Sequence, residues 1–201
     1  MLDRFRAFFA RVIEPVARLF LRMGISPDAV TLVGTLGVCA GALIFFPTGH
    51  LLVGVLVITA FVFSDMVDGQ MARLSGTSSK WGAFLDSTLD RFGDAAIFGG
   101  LAMYYVGPGD CERYAALAIY CLVLGSITSY ARARAESLGM HAKVGIAERA
   151  DRLVAILFMT GLSAILKAPV LIPITLGVLA VASTVTVVQR ILTVRAQAKA
   201  A

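Results

Sequence analysis

The stretch SDMVDGQMARLSGTSSKWGAFLDSTLDRFGD, Ser64–Asp94, carries five aspartates and follows directly on the apolar run LLVGVLVITAFVF at Leu51–Phe63. Its reading decides the fold, because the acids lie either in a wet loop between two membrane helices or on the ends of those helices. The surrounding chain is oily. Of 201 residues, 58% are hydrophobic and only 15% charged, with a mean hydropathy of +0.83. That composition lies outside the soluble globular range and predicts an all-α, polytopic membrane protein.

Charge-free runs occur at Ala29–Pro47, Leu51–Ser64, Ala95–Gly109, Tyr114–Ala131, Leu153–Leu166 and Ala168–Gln189. Six transmembrane helices fit this pattern, in one membrane domain over residues 24–201. The second, third and fifth runs are shorter than the about 20 residues needed to cross a hydrocarbon core of about 30 Å. Each has to borrow polar helical turns: Asp65–Arg73, Gly82–Asp94 and Glu148–Arg152. The aspartates are therefore expected on membrane helices rather than in a loop.

Of the 18 Lys and Arg, only Arg113 and Lys167 fall on the side opposite the two termini. This asymmetry predicts cytoplasmic termini and cytoplasmic connections between spans 2 and 3 and spans 4 and 5. The borrowed turns then meet at the cytoplasmic leaflet, where ionised groups are expected to face an internal, water-filled cavity. The net charge of +5 suits anionic headgroups or phosphorylated substrates and forms no nucleic-acid stripe. Residues 1–23 place Phe5, Phe8, Phe9, Val12, Val16, Leu19 and Phe20 at helical spacing among arginines, as an amphipathic helix in the interface would. They lack the compact apolar core of a cleavable signal, so this segment is expected to be retained. Ser26-Pro27-Asp28 reads as the entry to the first span. Cys39, Cys111 and Cys121 have no metal-type spacing, and His50 and His141 read as loop residues.

Asp65 and Asp68 are spaced i,i+3, and Asp86 and Asp90 i,i+4, so each pair shares one helical face. Two neighbouring helices can aim four carboxylates at one point. Such a group repels itself unless countered, and its hard oxygen ligands select Mg²⁺, Mn²⁺ or Ca²⁺ over zinc. A pair of divalent cations is the natural counter-charge. The competing reading is a surface loop whose acids cap helices or pair with Arg73, Lys80 and Arg91. Gly69, Ala72 and Gly82 likewise admit two readings: room for a bulky ligand, or close helix packing. A cation channel or transporter is a non-enzyme alternative, but it would continue polar residues across the bilayer, and spans 2 and 3 are apolar beyond the acids.

Written as a pattern, Asp65-x2-Asp68-Gly69-x2-Ala72-Arg73-x8-Gly82-x3-Asp86-x3-Asp90 resembles the full signature of the CDP-alcohol phosphatidyltransferases, with every fixed position present. The resemblance extends through the amphipathic amino terminus and the SPDAVT entry to span 1. It implies a divalent-metal-dependent, six-helix homodimeric enzyme of phospholipid biosynthesis in the cell membrane, moving a phosphatidyl group from a CDP-linked lipid to an alcohol and releasing CMP. Position by position, Asp65, Asp68 and Asp86 resemble the family's ligands for two Mg²⁺ or Mn²⁺ ions. Asp90 resembles the general base, which also lies against the metals. Gly69, Ala72 and Arg73 match positions that line the CDP moiety of CDP-diacylglycerol. Asp28 and Thr31 resemble the nucleotide-contacting turn, and Ser79 is added from the loop after Arg73. Asp94 lies outside the signature and reads as a structural hydrogen-bonding residue.

Arginines cluster beside the acids in SYARARAES, GIAERADR and VVQR, and guanidinium forks suit an anionic acceptor. These segments are similar to those of the actinobacterial phosphatidylinositol phosphate synthases, whose acceptor is inositol 1-phosphate. The resemblance makes Ser129, Arg132, Arg134, Arg152 and Arg190 the expected binders of the acceptor phosphate. Arg132 stands where some relatives carry Lys. The alternative acceptor is glycerol 3-phosphate, as used by phosphatidylglycerophosphate synthases, because it is also a phosphomonoester.

Overall fold

In lipid every backbone N–H and C=O must find a partner within the protein, and a helix provides them all within its own segment. A computed structural model describes residues 13–76 and 79–200, the side chain of Asp65 excepted. The described residues are all-helical, without strands. Helical residues 13–22, α1, are followed by seven helices: α2 (Pro27–Phe45), α3 (Leu51–Val62), α4 (Ser64–Ser75), α5 (Lys80–Val106), α6 (Glu112–Ser137), α7 (Arg149–Leu166) and α8 (Leu171–Ala200).

Among the described residues, four stretches are long and apolar enough to cross a membrane: Pro27–Phe45, Leu51–Ser75, Glu112–Ser137 and Leu171–Ala200. The second joins α3 to α4, so Asp65 and Asp68 do continue a membrane-length helix. The third and fifth expected spans are the helices α5 and α7, of 27 and 18 residues. They fall short of the same measure because their first turns carry Lys80, Asp86, Asp90, Arg91 and Asp94, and Arg149, Asp151 and Arg152. The sixth run continues as helix well beyond Gln189, since no Gly or Pro interrupts the sequence to Ala200. Pro173 sits in its first turn, where a missing N–H costs nothing.

The chain divides into two units. The first comprises the described residues up to Gly41 together with Leu56–Gly93. Here α1 rests on the bundle through fully buried Ala17, with Phe20 and Leu21 beside it against Val30 and Met71. Val16 and Leu19 of the same helix stay exposed. The expected amphipathic segment therefore has two uses for its apolar side chains within residues 13–22; Phe5, Phe8, Phe9 and Val12 lie outside the described residues. Helix α2 meets α3 along Gly34, Gly37 and Gly41. A Cβ at Gly37 would collide with the Phe61 ring, so only glycine lets this ring lie flat on the α2 backbone.

The second unit comprises Ala42–Val55 and Asp94–Ala201. Within it α8 packs on α6 and α7. Cys121, Ile156 and Leu176 are fully buried, and the Cys121 thiol donates to the Leu176 carbonyl at 3.2 Å. This thiol is a packing residue. The outward face of α8 exposes Ile174, Val178, Val181, Val188 and Ile191, an apolar stripe suited to lipid.

Candidate active site

Two short capping motifs set the walls of a cavity in the first unit. The Ser26 hydroxyl accepts from Ala29 N at 3.2 Å, with Pro27 as the first residue of α2. The Ser79 hydroxyl accepts from Gly82 N at 3.0 Å and so starts α5. These caps place Asp28 and Thr31 on α2 and Gly82 and Asp86 on α5 around a cavity of about 570 Å³, whose third wall is Asp68, Gly69 and Ala72 of α4. Ser79 lines it too. All of these are residues expected from the sequence.

Asp68 is only 7% exposed. Among the described residues its Oδ2 has no hydrogen-bond partner. Thr31 stands beside its carboxyl group, and the charges of Asp86 and Asp90 act on it. A buried, unpartnered carboxylate oxygen among like charges is costly unless a cation joins it, and the donor set is purely hard oxygen, so the residues fit a divalent ion of the Mg²⁺ or Mn²⁺ class. The described side chains do not by themselves gather three acids at one point. Asp65, one turn before Asp68, lies outside the described side chains.

Asp90 sits one turn beyond Asp86 on α5, outside the cavity lining, with Arg91 Nη2 3.7 Å from its Oδ2. Arg73 also stands outside the lining; its Nε donates to Gly69 O at 3.2 Å, laying the side chain along α4.

The two readings of the small residues are distinguished by what surrounds them. Among the described residues, and apart from the helix's own backbone, a methyl group at Gly69 would meet no atom nearer than Arg73 Nη2 at 4.0 Å, and at Gly82 none nearer than Ser79 Oγ at 3.5 Å. Among the described residues no other helix presses on either position, unlike Gly37. Their smallness enlarges the cavity.

The expected acceptor residues all lie in the second unit. Arg152 and Arg190 are 1% and 3% exposed. Arg152 Nη1 donates to Ala147 O at 3.2 Å. Arg190 donates to Val144 O at 2.9 Å and to Thr128 O at 2.6 Å. Carbonyl oxygens satisfy guanidinium donors without cancelling their charge, and the carboxylates of Glu148 and Glu136 act on Arg190. Arg132 lies within electrostatic reach of Arg190 and pairs with Glu136 at 2.9 Å. The Ser129 hydroxyl donates to Gly125 O at 3.2 Å. Arg134 stands apart, exposed and directed to Ser137.

Sequence reasoning missed Trp81, whose Nε1–H donates to Asp28 Oδ2 at 3.1 Å. Its one signal is that the chain's single tryptophan immediately precedes the motif's Gly82. Asp94 is 5% exposed and accepts from Arg149 Nε at 2.9 Å, the structural role its position implied.

A family model described as CDP-alcohol phosphatidyltransferase matches residues 24–194. The chain is 52% identical over 202 residues to the phosphatidylinositol phosphate synthase of Streptomyces avermitilis, covering 97% of this chain and 83% of that protein. The crystal structure of Mycobacterium tuberculosis phosphatidylinositol phosphate synthase with CDP-DAG bound is 40% identical, with a TM-score of 0.88 over 92% of this chain and 94% of that one. The same enzyme in complex with manganese and citrate matches with 40% identity and a TM-score of 0.85, over 90% of this chain and 88% of that one.

Proposed function

Because this chain belongs to the CDP-alcohol phosphatidyltransferases, we propose that it transfers the phosphatidyl group of CDP-diacylglycerol to inositol 1-phosphate, giving phosphatidylinositol phosphate and CMP. The observation that carries this reading is the cavity walled by Asp68, Gly69, Ala72, Gly82 and Asp86: it combines an unpartnered carboxylate with room beside it. The relatives named as phosphatidylinositol phosphate synthases and the buried Arg152 and Arg190 support a phosphorylated polyol as acceptor.

The nucleotide end of CDP-diacylglycerol enters against Asp28 and Thr31, with Trp81 fixing the Asp28 carboxylate. Gly69 and Ala72 admit the diphosphate, and Arg73 and Ser79 offer donors to its oxygens. Asp65, Asp68, Asp86 and Asp90 would hold two Mg²⁺ or Mn²⁺ ions, which when bound polarise the diphosphate and neutralise charge on the departing CMP. Ser129, Arg132, Arg152 and Arg190 hold the acceptor's phosphate, Arg134 being turned away to Ser137, and Asp90 accepts the proton of the attacking hydroxyl. The new bond forms from that oxygen to the β-phosphorus as the bond from the β-phosphorus to the CMP oxygen breaks. No covalent enzyme intermediate is needed.

In this reading the protein is a multi-pass homodimer of the cell membrane with six spans, counting α5 and α7, and with its termini and active site at the cytoplasmic face. Purified protein given CDP-diacylglycerol and Mg²⁺ is offered inositol 1-phosphate, glycerol 3-phosphate, free inositol or serine. Metal-dependent CMP release with inositol 1-phosphate alone is the expected result. Release with glycerol 3-phosphate instead reassigns the acceptor, and release with none of them removes the proposal.

A further inference from the structure

Residues 138–148, between α6 and α7, are irregular backbone whose N–H and C=O groups still require partners. Three side chains on one face of α8 supply them. Thr186 Oγ1 accepts from both Ile146 N and Ala147 N, each at 3.1 Å, while donating to Ala182 O at 2.9 Å. One donor and two acceptor sites are the whole capacity of a hydroxyl. Arg190, one turn on, donates to Val144 O at 2.9 Å. Gln197 brackets His141, accepting from its N–H at 2.9 Å and donating to its carbonyl at 2.6 Å. Gly145, at φ +137°, lies so close over Thr186 that a Cβ there would strike the threonine methyl. The connection is a strap fastened flat on α8.

Both buried arginines take carbonyls from this strap: Arg190 from Val144 and Arg152 from Ala147, the same residue whose N–H is held by Thr186. We infer that Thr186, seconded by Gln197, is a positioning residue for the acceptor site: it fixes the strap and thereby sets where the Arg152 and Arg190 guanidiniums stand. The inference rests on the reading that these arginines hold the acceptor phosphate. Thr186 is itself fully buried and touches no substrate; it acts one peptide away from the group that does.

Thr186→Val keeps the shape and removes the oxygen that both N–H groups use. In purified protein, KM is measured separately for inositol 1-phosphate and CDP-diacylglycerol, alongside thermal unfolding. A displaced anion clamp raises the acceptor KM at least about 10-fold and leaves the CDP-diacylglycerol KM within about twofold, and Thr186→Ser restores most of the loss. An unmoved acceptor KM, or an equal rise in both KM values in folded protein, overturns the inference. Arg152→Lys and Arg190→Lys run in parallel. If they raise the acceptor KM and Thr186→Val does not, the positioning role alone fails; if they leave it unmoved, the acceptor reading fails and the inference with it. Should Thr186→Val not fold, Gln197→Leu at the more open end of the strap carries the same expectation with a smaller rise, and no rise overturns it.

Discussion

Gly69→Ala sets stability and binding against each other. Gly69 lies inside α4, where replacing glycine by alanine improves helix propensity by about 1 kcal/mol. Among the described residues, and apart from its own helix backbone, the added methyl meets no atom nearer than 4.0 Å, so they set no packing penalty against that gain. For a chain of this size about 1 kcal/mol corresponds to a rise in Tm of roughly 2–4 °C. The methyl instead protrudes into the cavity shared with Asp68 and Asp86. If the CDP moiety fills that space, the overlap resembles overpacking of a filled core, about 1–3 kcal/mol, or roughly 5- to 150-fold in apparent affinity. Thermal unfolding of detergent-purified protein and the CDP-diacylglycerol dependence of CMP release measure the two effects. A variant that is more stable and binds CDP-diacylglycerol less tightly is expected. Destabilisation, or unchanged affinity, refutes the reasoning that this glycine exists to leave room for the nucleotide lipid.

Three further outcomes follow from the same geometry. Asp90→Asn leaves metal and CDP-diacylglycerol binding largely intact while abolishing turnover, measured by binding isotherms beside CMP release; normal turnover removes the proton-accepting role. Stripping divalent ions with a chelator stops CMP release, and adding Mg²⁺ or Mn²⁺ back restores it, whereas Ser or Thr hydroxyl chemistry would have survived. Gly37→Ala, the counterpart of Gly69→Ala, forces the Phe61 ring off α2 and lowers stability by about 1–3 kcal/mol, seen as a fall in Tm with little change in CDP-diacylglycerol affinity.

The lining of the first unit's cavity was readable because the motif sets fixed residue types at helical spacings. Asp68, Gly69, Ala72, Gly82 and Asp86 return to one cavity for the reason that i,i+3 and i,i+4 positions share a face. The starts of α2 and α5 were equally open to reading, through Ser26-Pro27 and, in retrospect, Ser79. What sequence could not supply was anything held by backbone. Arg152 and Arg190 were expected to wait for an anion, yet each is already anchored on main-chain carbonyls, and a carbonyl carries no residue signature. Thr186 and Gln197 stand among other polar residues of α8, beside Ser183 and Thr184 and between Arg195 and Lys199, with partners 39 and 56 residues away in sequence. Nothing local marks such a pairing. The short apolar runs of α5 and α7 read as spans only by borrowing charged turns, and length and composition do not decide that count.

The reach of α8 has a practical consequence. At 30 residues it is about 45 Å long, against a hydrocarbon layer of about 30 Å. A helix of that length exceeds the layer, and near its carboxyl end Gln197 grips His141. By composition the stretch VRAQAKA looks expendable, the kind of segment trimmed to aid crystallisation or replaced by a purification tag. Trimming it upstream of Gln197 would unbuckle one end of a loop that begins far earlier in the chain, so a shortened protein could remain folded and soluble in detergent yet report a misleadingly weak grip on its second substrate.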